Sequence, residues 1–206
     1  MGDFMSFLSA AFLSAAFRLR RAVFVFGLSL CAFFAAPAFS EESPEDLHKA
    51  AMQRLAPLVG EYTAGGVRYT QDGEIPLQEN TAKIDYILNG FGLEEKVKVD
   101  MGMEEPVTLL TTFSYDPYRQ LYRVSVLDDT FGLLDIYEGR FNDKGVLSVT
   151  NLRADTYFPF GDDGGRLHFM LQWSLNSPVK TFDVLMTSDG GATWLPYFEM
   201  KYTPVQ

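Results

Sequence analysis

Hydrophobic and polar positions alternate along most of this chain, and the alternation is cleanest between Val107 and Tyr137. Three runs rich in β-branched and aromatic residues, 107–115, 121–127 and 131–137, are separated there by short polar breaks carrying Asp, Pro and Gly. This is the pattern of consecutive antiparallel strands joined by tight turns. A period near two persists on both sides and predicts strands at about 60–69, 82–90, 92–101, 107–115, 119–128, 131–138, 145–151, 165–174, 179–188 and 193–203. Gly90-Phe91-Gly92 bends or breaks the second pair. Asn142 to Gly145, Asp162 to Gly165, Asn176 to Pro178 and Asp189 to Gly191 are turn clusters, built from residues that tolerate positive φ or start turns. A different period precedes the strands. Ser43 to Ala56 reads as a helix: Ser43 is an N-cap, Pro44 stands at N1, Glu45 and Asp46 occupy the first turn, and Pro57 stops it.

Ten short strands at 8–12-residue spacing imply a sandwich or a barrel. One open meander would leave two unpaired edges that invite aggregation. Greek-key sandwiches carry a longer crossover, whereas the longest gap here, Leu152 to Gly164, is about 13 residues. Up-and-down closure removes the edges and encloses a cavity able to hold a small ligand. The expected fold is therefore all-β: an antiparallel up-and-down β-barrel of about ten strands with a short N-terminal helix.

The first forty residues stand apart from this pattern. Arg18, Arg20 and Arg21 precede an apolar run from Ala22 to Ala36, and the segment ends in Pro37-Ala38-Phe39-Ser40. A basic region, an apolar stretch and small residues at −3 and −1 describe a secretory signal peptide, with cleavage after Ser40. The apolar run falls short of the roughly 20 residues of a membrane anchor. Leu30 before Cys31 also breaks the small-residue rule of a lipoprotein signal. The chain thus divides into a signal peptide, 1–40, and a barrel domain, 41–206, with a periplasmic or secreted destination and no stable membrane span after cleavage.

Removing that segment sharpens the charge. Of 17 basic and 27 acidic residues, three and one lie in the signal, so the net charge moves from −10 to −12. Such a surface argues against nucleic acid as a partner. The only cysteine, Cys31, leaves with the signal, so disulfides and thiol chemistry are excluded from the domain. No zinc spacing, EF-hand loop or Gly-x-Ser-x-Gly elbow occurs, no metal site is expected, and no cofactor or oligomeric state follows from the residues.

Several short motifs then suggest a family. Leu58-Val59-Gly60-Glu61-Tyr62 ahead of Gly65-Gly66, Leu88 to Leu93, Ser114-Tyr115-Asp116, Tyr122 with Val126 and Asp128, Asp189 to Trp194, and Tyr202-Thr203 follow one another in order. In these motifs the chain resembles the bacterial DUF1579 proteins, from Leu55 to Thr203. It departs from their pattern at Tyr62 and Val126, where tryptophan is usual, and at Phe91, where arginine is usual. The resemblance implies a calycin-like barrel related to lipocalins and nitrobindins, and brings no established activity with it.

Candidate chemistry is sparse. On the strand holding Arg166 to Trp173, alternation puts Leu167, Phe169, Leu171 and Trp173 on one face and His168, Met170 and Gln172 on the other. If the second face lines the lumen, His168 beside Met170 could ligate haem iron; the alternative is that this face is simply a polar outward one. Together with the aromatic residues Tyr62, Phe113, Tyr115 and Tyr122, these three are the ligand-binding candidates. His48 reads as a solvated residue on the polar side of the helix. Asp128-Asp129, Asp162-Asp163 and Glu104-Glu105 read as solvated turn acids, and Thr187 to Trp194 as an Asp-box-like hairpin turn. Tyr157-Phe158-Pro159-Phe160 reads either as local packing within its loop or as a lid or cap at the barrel mouth. The leading expectation is an exported barrel binding a small apolar or amphipathic molecule. The alternatives are an enzyme acting in the same cavity, with Tyr, Asp and His168 as proton-transfer groups, or an envelope interaction protein.

Overall fold

A computed structural model of the chain describes residues 42–100, 104–161 and 164–205. The expected signal peptide, Cys31 and the Asp162-Asp163 pair lie outside the described residues. Alternation becomes strand throughout. The elements are α1 (Pro44–Gln53), β1 (Gly60–Thr70), β2 (Gly73–Ile87), β3 (Gly92–Val99), β4 (Val107–Asp116), β5 (Leu121–Asp128), β6 (Leu134–Phe141), β7 (Val146–Thr150), β8 (Phe158–Phe160), β9 (Gly165–Ser174), β10 (Lys180–Thr187) and β11 (Leu195–Pro204).

Each strand from β1 to β6 pairs antiparallel with its successor, β7 pairs with β9, and β9, β10 and β11 continue in order. Pairing of β11 with β1 closes a ten-stranded up-and-down barrel. The short β8 pairs with β9 and stands outside the ring order. No edge remains along the ring, which is the physical advantage of closure for so many short strands.

Glycine makes the first strand possible. Between Ala64 and Gly66 the register against β2 slips, a bulge of the kind that bends a strand around a barrel. A Cβ on Gly66 would overlap the carbonyl oxygen of Glu199 on β11, so only glycine permits that approach.

Register assigns the faces. Leu93, Val97 and Val99 of β3, Leu109 and Phe113 of β4, Val124 of β5 and Val149 of β7 point into the barrel and are buried. Glu94, Lys96 and Lys98 alternate with them outside, and Arg123 bonds Glu138 across the outer face at 2.9 Å. Apolar in and polar out is the reverse of a barrel that faces lipid. No helix of the described residues is long and apolar enough to cross a membrane.

Helix α1 closes one end. Ser43 Oγ accepts from Asp46 N at 3.1 Å, the expected cap. Past the helix, Leu55 and Leu58 are fully buried with Met52, so the segment plugs the barrel. His48 is not solvated as expected: its Nδ1 lies 2.8 Å from Tyr115 O and its Nε2 3.0 Å from Phe91 O. It ties the helix to the ends of β3 and β4.

Two further differences have plain causes. Strand β2 begins at Gly73, not near 82, because Thr70 pairs with Gly73 across a two-residue turn and imposes strand on the polar run that follows. Pro76 sits there, exposed. The helix is shorter than predicted, giving way after Gln53 to a 3-10 turn at Ala56–Leu58.

Candidate functional site

Opposite the α1 plug the barrel is not filled. A cavity of about 400 Å³ opens at that end, with walls from Val97, Val107, Leu109, Val126, Leu171 and Val184 and with Phe169, Phe198 and Tyr197 along one side. Its floor is aromatic: Phe182 lines the cavity and stacks on Trp173 at 4.7 Å, and Trp173 meets Phe113 edge-on at 5.0 Å on the plugged side. At the mouth Phe131 and Phe158 meet edge-on at 5.4 Å, and Phe158, Pro159 and Gly161 line the opening. The segment holding Phe158 and Pro159 therefore lies at the mouth, carried there by β8. A volume of this size falls in the ordinary range for small-molecule sites, about 300–1,000 Å³.

Polar groups enter this apolar space at few points. Glu95 shares the inner face of β3 with Leu93 and Val97 and is only 1% exposed. Tyr202, reaching from β11, donates its hydroxyl to Glu95 Oε1 at 2.6 Å, and Thr111, its cross-strand neighbour on β4, is a second hydrogen-bond partner. Burial pushes the Glu95 carboxyl up to about 7, against the lowering effect of those two hydroxyls. Burial and the Glu95 carboxyl together hold the Tyr202 hydroxyl well above its usual range.

Asp135 is the second. It lies on the inner face of β6, accepts from Tyr137 O–H at 3.0 Å, and has Thr156 as a further partner. Burial raises it despite these bonds. The third carboxyl, Asp128, also lines the cavity but is occupied by its own loop, accepting from the backbone N–H of Thr130, Phe131 and Leu133. Asp128 is thus more than the solvated turn acid expected from the sequence.

Register places Glu95, buried, and Asp135, half-buried, in one row. Glu95 faces Thr111, Thr111 faces Val126, and Val126 faces Asp135. Three inter-strand steps separate them along the curved wall, about 14 Å at the usual spacing. Val126 stands in the middle of this row and lines the cavity.

The seven sequence candidates lie elsewhere. Phe113 packs on Trp173 behind the floor. Tyr122 donates to Ala51 O of the plug at 2.8 Å, Tyr115 packs edge-on against Tyr122, and Tyr62 donates to Pro57 O at 3.2 Å. All four belong to the plugged end and none lines the cavity. His168, Met170 and Gln172 fall on the outer face of β9, because Leu167, Phe169 and Leu171 take the lumen side and alternation forces their neighbours out. Gln172 donates to Ser148 Oγ at 3.2 Å on that outer face. His168 is buried beside the Tyr157 ring, at 5.9 Å, with its Nδ1 unpartnered. The pairing of His168 and Met170 around a haem iron within the lumen is therefore overturned by register. Among the described residues no group of three or more His, Cys, Asp or Glu is arranged to hold a metal ion.

Glu95 and Asp135 were missed by reading composition instead of phase. In Leu93-Glu94-Glu95-Lys96-Val97 the second glutamate falls in step with the apolar residues, and Asp135 falls in step with Tyr137. An acid on the apolar phase of a strand is the available signal. The Asp189 turn, by contrast, is as expected: Asp189 Oδ1 accepts from Thr187 Oγ1 at 2.6 Å and Thr193 N at 2.9 Å, which closes the β10–β11 hairpin.

A family model described as Protein of unknown function (DUF1579) matches residues 48–203. No curated protein matches the chain.

Proposed function

The chain belongs to the DUF1579 family, which carries no assigned activity, and we propose from the cavity itself that the protein binds a small apolar or amphipathic molecule inside the barrel. The observation that carries this reading is the unfilled half of the lumen: a cavity of about 400 Å³ with apolar walls, a mouth, and few polar groups aimed inward. Ordinary core packing leaves no void of that size, since interiors are packed about as densely as organic crystals. The basic and apolar pattern of residues 1–40 supports an exported protein, periplasmic or secreted, cleaved after Ser40. N-terminal sequencing of the exported protein tests that part: a chain starting at Glu41 is expected, and one retaining Met1 overturns it.

Titration of the purified protein with a neutral apolar fluorophore, N-phenyl-1-naphthylamine, tests the binding reading. Saturable binding at one site per chain is expected, together with co-purifying small molecules in native mass spectra. Failure to saturate, with no bound species, overturns it.

A second reading is favoured by one residue. A carboxyl held near neutral pH in a water-poor cavity is suited to general acid–base chemistry, and Glu95 fits that description with Tyr202 beside it. The proton-transfer role expected of His168 passes to Glu95 in this reading. Turnover with a bell-shaped or sigmoidal pH dependence that disappears in E95Q supports it. Binding without conversion of the co-purifying molecule removes it.

A further inference from the structure

Resting on the cavity-binding reading, we propose that the ligand is an amphipathic amine, whose ammonium group is received by one of two inward carboxyls, Glu95 or Asp135, while its apolar part lies against the barrel wall. Among the described residues, the charged ones lining the cavity are Glu95, Asp128 and Asp135, and no lysine, arginine or histidine is with them. Asp128 is taken up by three backbone N–H groups of its loop. Two inward carboxyls therefore remain on one row of the wall, with Thr111 and Val126 between them.

Their present partners are hydroxyls: Tyr202 and Thr111 for Glu95, Tyr137 and Thr156 for Asp135. Hydroxyls satisfy hydrogen bonds but bring no positive charge, and a buried carboxylate without a cation is expensive. A ligand that supplies the cation removes that cost and gains by it. Ionisable groups on the surrounding elements do not fill the role. Arg68 shares the inner face of β1, opposite Phe198, but it acts on Tyr197 and does not line the cavity. His168 influences Asp135 only from the outer face of β9. The remaining lumen groups that titrate, Tyr137, Tyr197 and Tyr202, are neutral donors with their hydroxyls raised by burial. Phe169, Phe182, Tyr197 and Phe198 add ring faces, which attract ammonium groups.

The proton balance is simple. An amine entering as ammonium pairs directly with a carboxyl that is already ionised, or displaces to solvent the proton of one that is not. An amine entering neutral takes that proton onto its nitrogen. Either route ends in the same ammonium–carboxylate pair, and no bond to carbon changes. An anionic amphiphile would instead face two acids.

Three probes of one length test this: octylamine, octanol and octanoate, each competed against N-phenyl-1-naphthylamine at pH 7.5. Octylamine is expected to bind about tenfold or more tighter than octanol, with octanoate weakest. In the double variant E95Q/D135N, checked for folding by circular dichroism, octylamine is expected to lose its advantage over octanol. Equal binding of amine and alcohol, or tighter octanoate, overturns the amine and leaves the cavity reading intact. No binding of any of the three, nor of the fluorophore, overturns both.

Discussion

At the end of the barrel where α1 docks, Leu55 and Leu58 are 0% and 1% exposed, and Trp173 is held between Phe113 and Phe182. At the opposite end Phe131 and Leu134 are both 53% exposed, and the walls between mouth and floor enclose open space. Both ends are made of strands with aromatic and β-branched inner faces. The difference lies in what meets those faces: a helix and a 3-10 turn at one end, a short strand at the rim of the other. Burial there is completed by α1, so the stability of the barrel is concentrated at the plug and the vacancy falls where the chain provides no second element.

That contrast makes the largest expected effect a mutational one. Leu55→Ala at the plug removes a fully buried side chain and is expected to cost about 2–5 kcal/mol. Leu109→Ala, on the cavity wall, enlarges a space that already exists, so its cost is expected near the transfer term alone, about 1–2 kcal/mol. Urea midpoints at constant slope measure both. Equal losses would mean that the cavity is collapsed in solution and the two ends are alike.

A second test uses the acid on the cavity side of that divide. The Glu95 carboxyl is raised from 4.5 to about 7 in the folded protein, so the folded state holds its proton after the unfolded chain has lost it. Its contribution is fully present below the unfolded value and is lost as pH rises from about 4.5 to 7, where it levels off. Across that window the loss is expected to be on the order of 3 kcal/mol at most. Asp135 and Asp183, also raised by burial, act in the same direction. Asp189, lowered to about 2 mainly by its hydrogen bond from Thr187, acts oppositely: its contribution is lost only as pH falls through that lower range. In E95Q the decline between pH 4.5 and 7 is expected to flatten, measured as Tm against pH. An unchanged slope would show that Glu95 is not the group titrating.

How much of this could be read beforehand differs by element. The meander from β4 to β6 was plain because Val107 to Tyr137 alternates strictly and its breaks carry Asp, Pro and Gly. The first half of β2 was not, since Glu74, Pro76, Gln78 and Glu79 have poor strand propensity and are held by pairing with β1. For β9 the strand was evident but its lumen face was not: Met170 and His168 on one side compete with Leu167 and Phe169 on the other. The aromatic candidates failed for a related reason. Tyr62, Phe113, Tyr115 and Tyr122 do point inward or to the barrel's end, but the height along the axis decides between plug and cavity, and that depends on where α1 docks. No local pattern encodes it. Glu95 was different, because its phase with Leu93 and Val97 was there to be read.

The smallest expected effect isolates the comparison on a single strand. Val124 and Val126 lie two residues apart on the same inner face of β5. Val124 is completely buried against the plugged side, whereas Val126 faces the cavity. Val124→Trp must force a large ring into a packed core, at about 1–3 kcal/mol or more. Val126→Trp places the same ring into open space and buries it, so its net effect on stability is expected within about 1 kcal/mol of zero. The ring would lie in the row between Glu95 and Asp135, and binding of N-phenyl-1-naphthylamine should be lost with little change in the urea midpoint. If Val126→Trp destabilises as much as Val124→Trp, the upper half of the barrel is packed like the lower, and the vacancy that distinguishes the two ends does not exist. If it leaves both stability and fluorophore binding untouched, the probe sits elsewhere than between β3 and β6.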